Sequence, residues 1–169
     1  NADNLLTMPD FRASERAFQL MMQVAGRAGR RNDRGRVVIQ TSQPKHPVIR
    51  FVASGDYHAM ANSELAERRA FDYPPYSHLI RLLMRHEDYN LLHHAAHALA
   101  GAMRKKFGGR VMGPVSAALE MLRGEHRAEI LLKIESGASM QRARTLLREA
   151  IATVEGDPQY KTVKISVDV

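Results

Sequence analysis

The sequence predicts a mixed α/β fold of the α+β type, in which a mainly helical first part precedes a domain with the element order βαββαβ. Three observations predict it. Apolar residues recur at three- and four-residue steps near both ends of the chain, residues 162–169 alternate as a strand does, and Pro74 and Pro75 interrupt the helical pattern between the two parts. The predicted element order of the second part is the split βαβ arrangement.

The first part is predicted to contain three helices and one strand. Apolar residues predict a helix over 11–29, and the β-branched run over 36–41 predicts a buried strand. Helices are predicted over 46–54 and 56–71, separated by Gly55. The apolar stripe of the first helix consists of Phe18, Met21, Met22 and Ala25.

The second part is predicted to follow a stiff hinge at residues 73–76, because neither proline has an amide hydrogen to donate. Its predicted elements are a strand over 78–85, a helix over 90–107, strand-like pieces over 111–122, a strand over 128–134, a helix over 140–154 and a strand over 162–169. We place the domain boundary at the hinge.

Composition limits the class of protein. Of the 169 residues, 44% are hydrophobic and 25% are charged, which are proportions of a globular protein and exclude a disordered or collagen-like chain. The chain has no cysteine, which excludes disulfides and thiolate zinc sites within it. No apolar run approaches the roughly 20 residues of a membrane span, so we expect no membrane contact. Because the chain begins at Asn1 and not at Met, we expect a fragment of a longer protein.

The chain is basic, with a net charge of +7 from 25 basic and 18 acidic residues. Its sharpest motif is QVAGRAGR over residues 23–30. On a helix, the spacing places Gln23, Arg27 and Arg30 on one face, and Gly26 permits close approach. Two arginines on a packed helix suit the charge that develops on a transferring phosphoryl group. By spacing alone, a solvated arginine face is the preferred explanation.

The motif resembles motif VI of superfamily 2 helicases, Q-x-x-G-R-x-x-R. The surrounding strings NADNLLTMPDFRASERAFQLMM, IQTSQPKHPVI and AERRAFDYPPYSHLIRL resemble the C-terminal part of the PriA family of primosomal replication-restart helicases. The resemblance implies that residues 1–55 are the end of the second RecA-like helicase lobe, that 56–75 are a helical bridge and hinge, and that 76–169 are the C-terminal domain.

The resemblance also implies roles for single residues. Gln23 and Gly26 would lie near the nucleotide, and Arg27 and Arg30 would be arginine fingers on its γ-phosphate. The segment that ends at Arg12 would lie near the nucleic-acid groove. The parent would be an ATP-dependent 3′–5′ DNA helicase, an ATP hydrolase that uses Mg²⁺ and restarts stalled forks in the bacterial cytoplasm.

The chain lacks other parts of such an enzyme. It contains no Gly-Lys pair and hence no phosphate loop, no acidic Mg²⁺-binding box, and none of the cysteines that hold zinc in the family. We therefore expect ATP, Mg²⁺ and zinc to bind the intact protein, the fragment alone to be inactive, and no cofactor to be bound to it. The alternative is a free-standing split-βαβ module that binds nucleic acid or a ribonucleoprotein and has no ATPase parent.

Two basic clusters in the second part are candidate binding surfaces. Lys105, Lys106 and Arg110 could contact DNA phosphates, or they could only complement a helix C-terminus. The resemblance implies forked or single-stranded DNA, primosome proteins and the acidic C-terminal tail of single-stranded-DNA-binding protein as partners. For that tail the candidate residues are Gln141, Arg144 and Arg148, although a solvated arginine face explains them as well.

The histidines of the second part are weak candidates for a metal site. His93 and His97 have the four-residue spacing that can chelate a metal on a helix. No H-E-x-x-H arrangement accompanies them, so an exposed polar face is the preferred interpretation.

Overall fold

The computed structural model describes residues 2–7, 10–28 and 36–168, and it confirms the mixed fold. The chain divides into two compact units, Asn1–Phe71 and Asp72–Val169. The assignment of residues 1–55 to a helicase lobe stays a prediction.

The helices and strands are α1 (Asp3–Leu6), α2 (Ala13–Ala28), α3 (Pro47–Ser54), α4 (Tyr57–Ala70), β1 (Ser77–His86), α5 (Tyr89–Phe107), β2 (Val111–Leu122), β3 (Glu125–Glu135), α6 (Met140–Glu155) and β4 (Lys164–Asp168).

The first unit is built from α1 to α4. The ring of His46 accepts a hydrogen bond from the amide of Val48 at the start of α3, and the carboxylate of Asp56 accepts one from Ala59, at 2.8 Å, at the start of α4. These contacts satisfy amides that a helix start leaves unpaired. The predicted helices over 46–54 and 56–71 are confirmed. The core of the unit contains Ala17, Phe18, Met21, Val48, Ile49, Val52 and Met60.

The predicted buried strand over 36–41 is wrong. The segment has no strand partner among the described residues, and the Val38 side chain is 80% exposed. A β-branched run becomes a strand only where a neighbouring backbone pairs with it. Here the segment contacts α1 instead: the amide of Ala2 donates to the Gln40 carbonyl at 3.0 Å, and the Asp3 carboxylate accepts a hydrogen bond from Thr41.

The second unit has the predicted βαββαβ order. Its four strands form one sheet in the order β2-β3-β1-β4, and every neighbouring pair is antiparallel. This is the sheet order of the split βαβ arrangement, with β1 and β3 in the centre. The last strand is shorter than predicted: the amide of Val163 donates to the Tyr160 carbonyl in a turn, so β4 begins at Lys164.

The core of the second unit lies between one face of the sheet and the two helices α5 and α6. Ile80 and Leu82 of β1 pair with Leu132 and Ile130 of β3, and all four side chains are fully buried. The helices contribute Leu92, Ala95, Ala96, Leu99, Ala100, Met103, Phe107, Ala143, Leu147, Ala150 and Val154. Ala143, Leu147, Ala150 and Val154 of α6 therefore face the sheet. Within the described ranges, no helix has the length and hydropathy needed to cross a membrane.

Candidate functional site

The α2 helix carries the predicted nucleotide-binding residues of the first unit. Phe18 and Met21 are buried in the core, whereas Gln23 and Arg27 are exposed. The helix begins at Ala13, two residues later than predicted, because Phe11 and Arg12 lie in a turn. A packed helix thus presents both polar side chains to solvent from a fixed backbone. Gly26 is exposed as well, and an added Cβ there would meet no atom of the described residues within 4 Å.

Arg27 and Arg16 have different electrostatic environments on α2. Arg16 forms an ion pair with Asp10 at 2.6 Å, so its charge is already compensated. Arg27 forms no ion pair with any carboxylate in the described part of the chain. A guanidinium carries five N–H donors that can bind an external anion. Arg30 lies outside the described residues.

Arg12 lies in the turn before α2. Its amide donates to Asp10 Oδ1 at 2.9 Å, and its guanidinium lies 5.1 Å from the centre of the Phe11 ring. The side chain is exposed. The position is compatible with contact to a nucleic-acid backbone, which stays a prediction.

An open cavity of about 360 Å³ lies between the C-terminal end of α5 and the N-terminal end of α6. Its apolar part includes Phe107, Ala143 and Leu146. Three cationic residues line it as well: Lys106, Arg110 and Arg142. We call this the basic cavity. The antiparallel arrangement of the two helices brings these residues together, although more than 30 positions separate Arg142 from the other two in the sequence.

Two of the three cations in the basic cavity have carboxylate partners. Lys106 Nζ lies 2.5 Å from Glu149, and Arg110 Nε lies 2.7 Å from Glu135. The hydrogen bond from Arg110 lowers the pKa of Glu135 below its ordinary value. Arg142 has no ion pair among the described residues, so the cavity keeps one uncompensated guanidinium.

Arg142 is the residue that sequence reasoning missed. Arg142 and Glu149 share a face of α6 by their spacing, but Glu149 binds Lys106 instead. The signal that could have found it is the βαββαβ order itself, because that order makes α5 and α6 antiparallel and places the end of one beside the start of the other. Lys105 is exposed in the last turn of α5, outside the cavity lining.

The exposed flank of α6 carries the residues predicted for the tail peptide. Gln141, Arg144 and Arg148 are all exposed. Half-buried Met140 and Ile151 precede and follow the two arginines at helical spacing, so one flank combines two cations with apolar edges. Neither arginine forms an ion pair within the described ranges.

The histidines of α5 pack against one another at the surface. The rings of His93 and His97 lie 4.3 Å apart, and that of Tyr89 lies 6.0 Å from His93. In the part of the chain that the structure describes, no group of three or more histidine, aspartate or glutamate side chains is placed to hold a metal ion. The side chains of His93 and His97 are exposed.

Comparison with known proteins identifies the family. A model of the primosomal protein N C-terminal domain matches residues 69–169, which is more than half of the chain. The chain belongs to the PriA family. A replication restart protein PriA from Treponema pallidum is 43% identical over 88% of the chain, and one from Bacillus subtilis is 31% identical over 100% of it. The predicted likeness to the C-terminal part of a PriA protein is confirmed.

The chain spans only a part of its PriA relatives. It covers 23% of the length of the Treponema pallidum protein, 21% of that from Bacillus subtilis and 16% of that from Synechocystis. Membership of the family supports a role in replication restart.

Proposed function

We propose that this chain is the C-terminal part of an ATP-dependent 3′–5′ DNA helicase that restarts replication at stalled forks in the bacterial cytoplasm. The observation that carries the proposal is the exposure of Gln23 and Arg27 on one packed helix, with Arg27 unpaired among the described residues. Arg30 completes the motif by its spacing. The family membership supports the same proposal.

The residues of α2 fit a bound nucleotide. Guanidinium donors without an internal acceptor can bind γ-phosphate oxygens, and a buried helix face holds them in place. ATP supplies the phosphoryl group for hydrolysis when it is bound. The phosphate loop, the Mg²⁺ ligands and the zinc ligands would come from residues outside this sequence, because it contains neither a Gly-Lys pair nor a cysteine.

A chimeric protein tests the role of Arg27. In a full-length Treponema pallidum relative whose matching region is replaced by this chain, Arg27→Ala is expected to lower kcat for DNA-stimulated ATP hydrolysis by roughly 10³–10⁵-fold. Arg50→Ala is the matched control, because Arg50 is an exposed arginine on α3 of the same unit. A kcat for Arg27→Ala equal to that of the control would contradict the proposal.

The chain alone is expected to have no DNA-stimulated ATP hydrolysis, because arginine fingers without a phosphate cradle leave the triphosphate uncompensated. The assay is phosphate release with and without forked DNA. Turnover that persists through purification, and that Arg27→Ala abolishes, would show that the chain contains a complete nucleotide site.

We further propose that the basic cavity contacts DNA phosphates. Lys105 precedes Lys106 in the sequence, and Arg142 adds a cation that has no ion pair among the described residues, so the cavity keeps an uncompensated positive charge. Such contacts position a protein without reading sequence. Arg142→Gln should weaken the binding of forked DNA to the chain. It should also reduce the slope of log Kd against log salt by the amount that corresponds to about one phosphate contact. Unchanged binding and salt dependence in this variant would contradict the contact.

The exposed flank of α6 supports a second partner, the acidic tail of single-stranded-DNA-binding protein. Arg144 and Arg148 lie between two half-buried apolar residues, an arrangement that suits an acidic peptide with an apolar end. Titration with a synthetic tail peptide should show weak, salt-sensitive binding that Arg144→Ala and Arg148→Ala reduce. Arg142→Ala should leave it unchanged, because Arg142 lines the cavity instead. Loss of binding only with Arg142→Ala would move the peptide to the cavity.

A further inference from the structure

A row of three cations crosses the sheet on the face opposite α5 and α6. Arg85 of β1 lies directly opposite Arg127 of β3 and directly opposite Lys164 of β4. The residues that precede or follow them, Met84, Ala128 and Ile165, pack against the core. Because side chains alternate along a strand, the three cations lie on the other face of the sheet. We call them the cationic row.

The cationic row is electrostatically costly for an isolated domain. Directly opposite residues in antiparallel strands have Cα atoms about 4.5–5.5 Å apart, and like charges at such positions destabilise a sheet. Among the described residues, the buried Nε atoms of Arg85 and Arg127 have no hydrogen-bond partner. The row is nevertheless accessible, since the Arg85 side chain is 40% exposed and that of Lys164 is 63% exposed.

The carboxylates near the row compensate only a part of its charge. Glu125 lies 2.6 Å from Lys164 and 3.8 Å from Arg85, and the hydrogen bond from Lys164 lowers its pKa. Glu129 lies on the same face of β3 but forms no ion pair among the described residues, and neither does Arg127. Within the described ranges, Arg127 thus lacks both a hydrogen-bond partner for its Nε atom and a carboxylate for its charge.

We propose that the cationic row binds the phosphodiester backbone of a nucleic acid. The choice of nucleic acid as the ligand rests on the proposed function. The row adds a second contact surface, on the face of the sheet that does not carry the two helices. A guanidinium group can donate two parallel hydrogen bonds to the oxygens of one phosphate. A phosphodiester chain carries one negative charge per nucleotide. The half-buried neighbours on this face, Leu83 and Leu131, offer no aromatic ring for a base to stack on. The contact is therefore to the backbone and independent of sequence.

Removal of single charges tests the row in the full 169-residue chain. The probe is a fluorescein-labelled 20-nucleotide oligothymidylate, and fluorescence anisotropy gives Kd at several salt concentrations. Arg127→Gln is expected to reduce the slope of log Kd against log salt by about 0.7, and Arg85→Gln with Arg127→Gln by about 1.4, because each phosphate contact on a single strand contributes about 0.7. Arg50→Gln removes the same charge from α3 of the first unit and serves as the control.

A structural role for Arg127 would affect folding instead of binding. The melting temperature of Arg127→Gln without DNA should equal or exceed that of the unmodified chain, because the substitution removes a like-charge pair. A lower melting temperature together with an unchanged salt slope would overturn the proposal.

The remaining outcomes separate this proposal from the DNA contact proposed for the basic cavity. If Arg142→Gln weakens oligothymidylate binding while Arg127→Gln and the double variant do not, the row is refuted and the cavity contact stands. If the unmodified chain does not bind the oligonucleotide, the row is refuted, whereas the cavity contact is tested by the binding of forked DNA. If the row variants lose only the binding of a 20-residue polyglutamate, the row is a site for an acidic protein and the nucleic-acid proposal is wrong.

Discussion

Substitution of Gly113 by alanine should strongly destabilise the second unit. Gly113 lies in β2 with a φ of +92°, at a position where the pairing with β3 shifts register. A Cβ atom added there would lie 2.8 Å from the backbone oxygen of Glu129 and 3.2 Å from the backbone nitrogen of Val115. Both neighbours are backbone atoms, so neither can rotate away. The strands would have to separate locally.

The cost of Gly113→Ala is the sum of two effects. A residue with a Cβ atom in the left-handed region costs about 1–2 kcal/mol. Separation of the two backbones weakens the adjacent ladder hydrogen bonds, each of which contributes about 1 kcal/mol. We therefore expect a loss of about 3 kcal/mol in the free energy of unfolding, which is a large part of the 5–15 kcal/mol that is typical of a domain.

Gly101→Ala is the matched control for this prediction. Gly101 lies in the middle of α5, where an added Cβ meets no atom within 4 Å, so alanine should stabilise the helix by about 0.5–1 kcal/mol. The two variants make the same chemical change with opposite expected signs. Urea unfolding measured by circular dichroism, with hydrogen exchange of the β3 amides to report on the second unit, distinguishes them. A loss below about 1 kcal/mol for Gly113→Ala, or a similar loss for both variants, would refute the reasoning.

Three further predictions concern the candidate sites. Arg27→Ala should change the free energy of unfolding of this chain by about 0.5 kcal/mol or less in urea, since Arg27 is exposed and unpaired among the described residues; a loss above about 2 kcal/mol would mean that it is paired. Ser139→Ala should lower it by about 1 kcal/mol, because Ser139 Oγ caps α6 by accepting from the Arg142 amide. The pKa of Glu135 is lower in the folded chain than in the unfolded chain, so Glu135 stabilises the fold at a pH above its unfolded-state pKa. This stabilisation is lost as the pH falls through the folded-state pKa. Between about pH 6 and pH 3 the melting temperature should therefore fall less in Glu135→Gln than in the unmodified chain; equal falls would contradict this.

The elements of the second unit could be predicted because their signals are local. In β1, the largely apolar run over residues 79–84 predicts a strand, and the structure shows that Ile80, Leu82 and Met84 are its buried side chains. The segment over 36–41 is richer in β-branched residues than β1 but forms no strand here. Strand formation requires a pairing backbone from elsewhere, and no periodicity within a segment reports whether one is present.

The candidate sites were predictable in residue type but less so in arrangement. Motif spacing predicts that Gln23 and Arg27 share a helix face, and both are exposed on α2. For the basic cavity, Lys106 lies on α5 and Arg142 on α6, so spacing within one helix does not relate them. The packing of the two antiparallel helices brings both residues to one cavity. Contacts between elements depend on where each helix lies on the sheet, and this information is not contained in either helix.

The position of the cationic row follows from the packing of the core on the opposite face. Burial of Leu82 against Ile130 fixes the register of β1 with β3, and a slip by one residue would expose the whole core face of β1. With that register, Arg85 must lie opposite Arg127, whatever the electrostatic cost. Because the apolar residues hold the register, glutamine at position 127 should leave the sheet intact. Its effect on nucleic-acid binding therefore measures the charge of the row and not a change of fold.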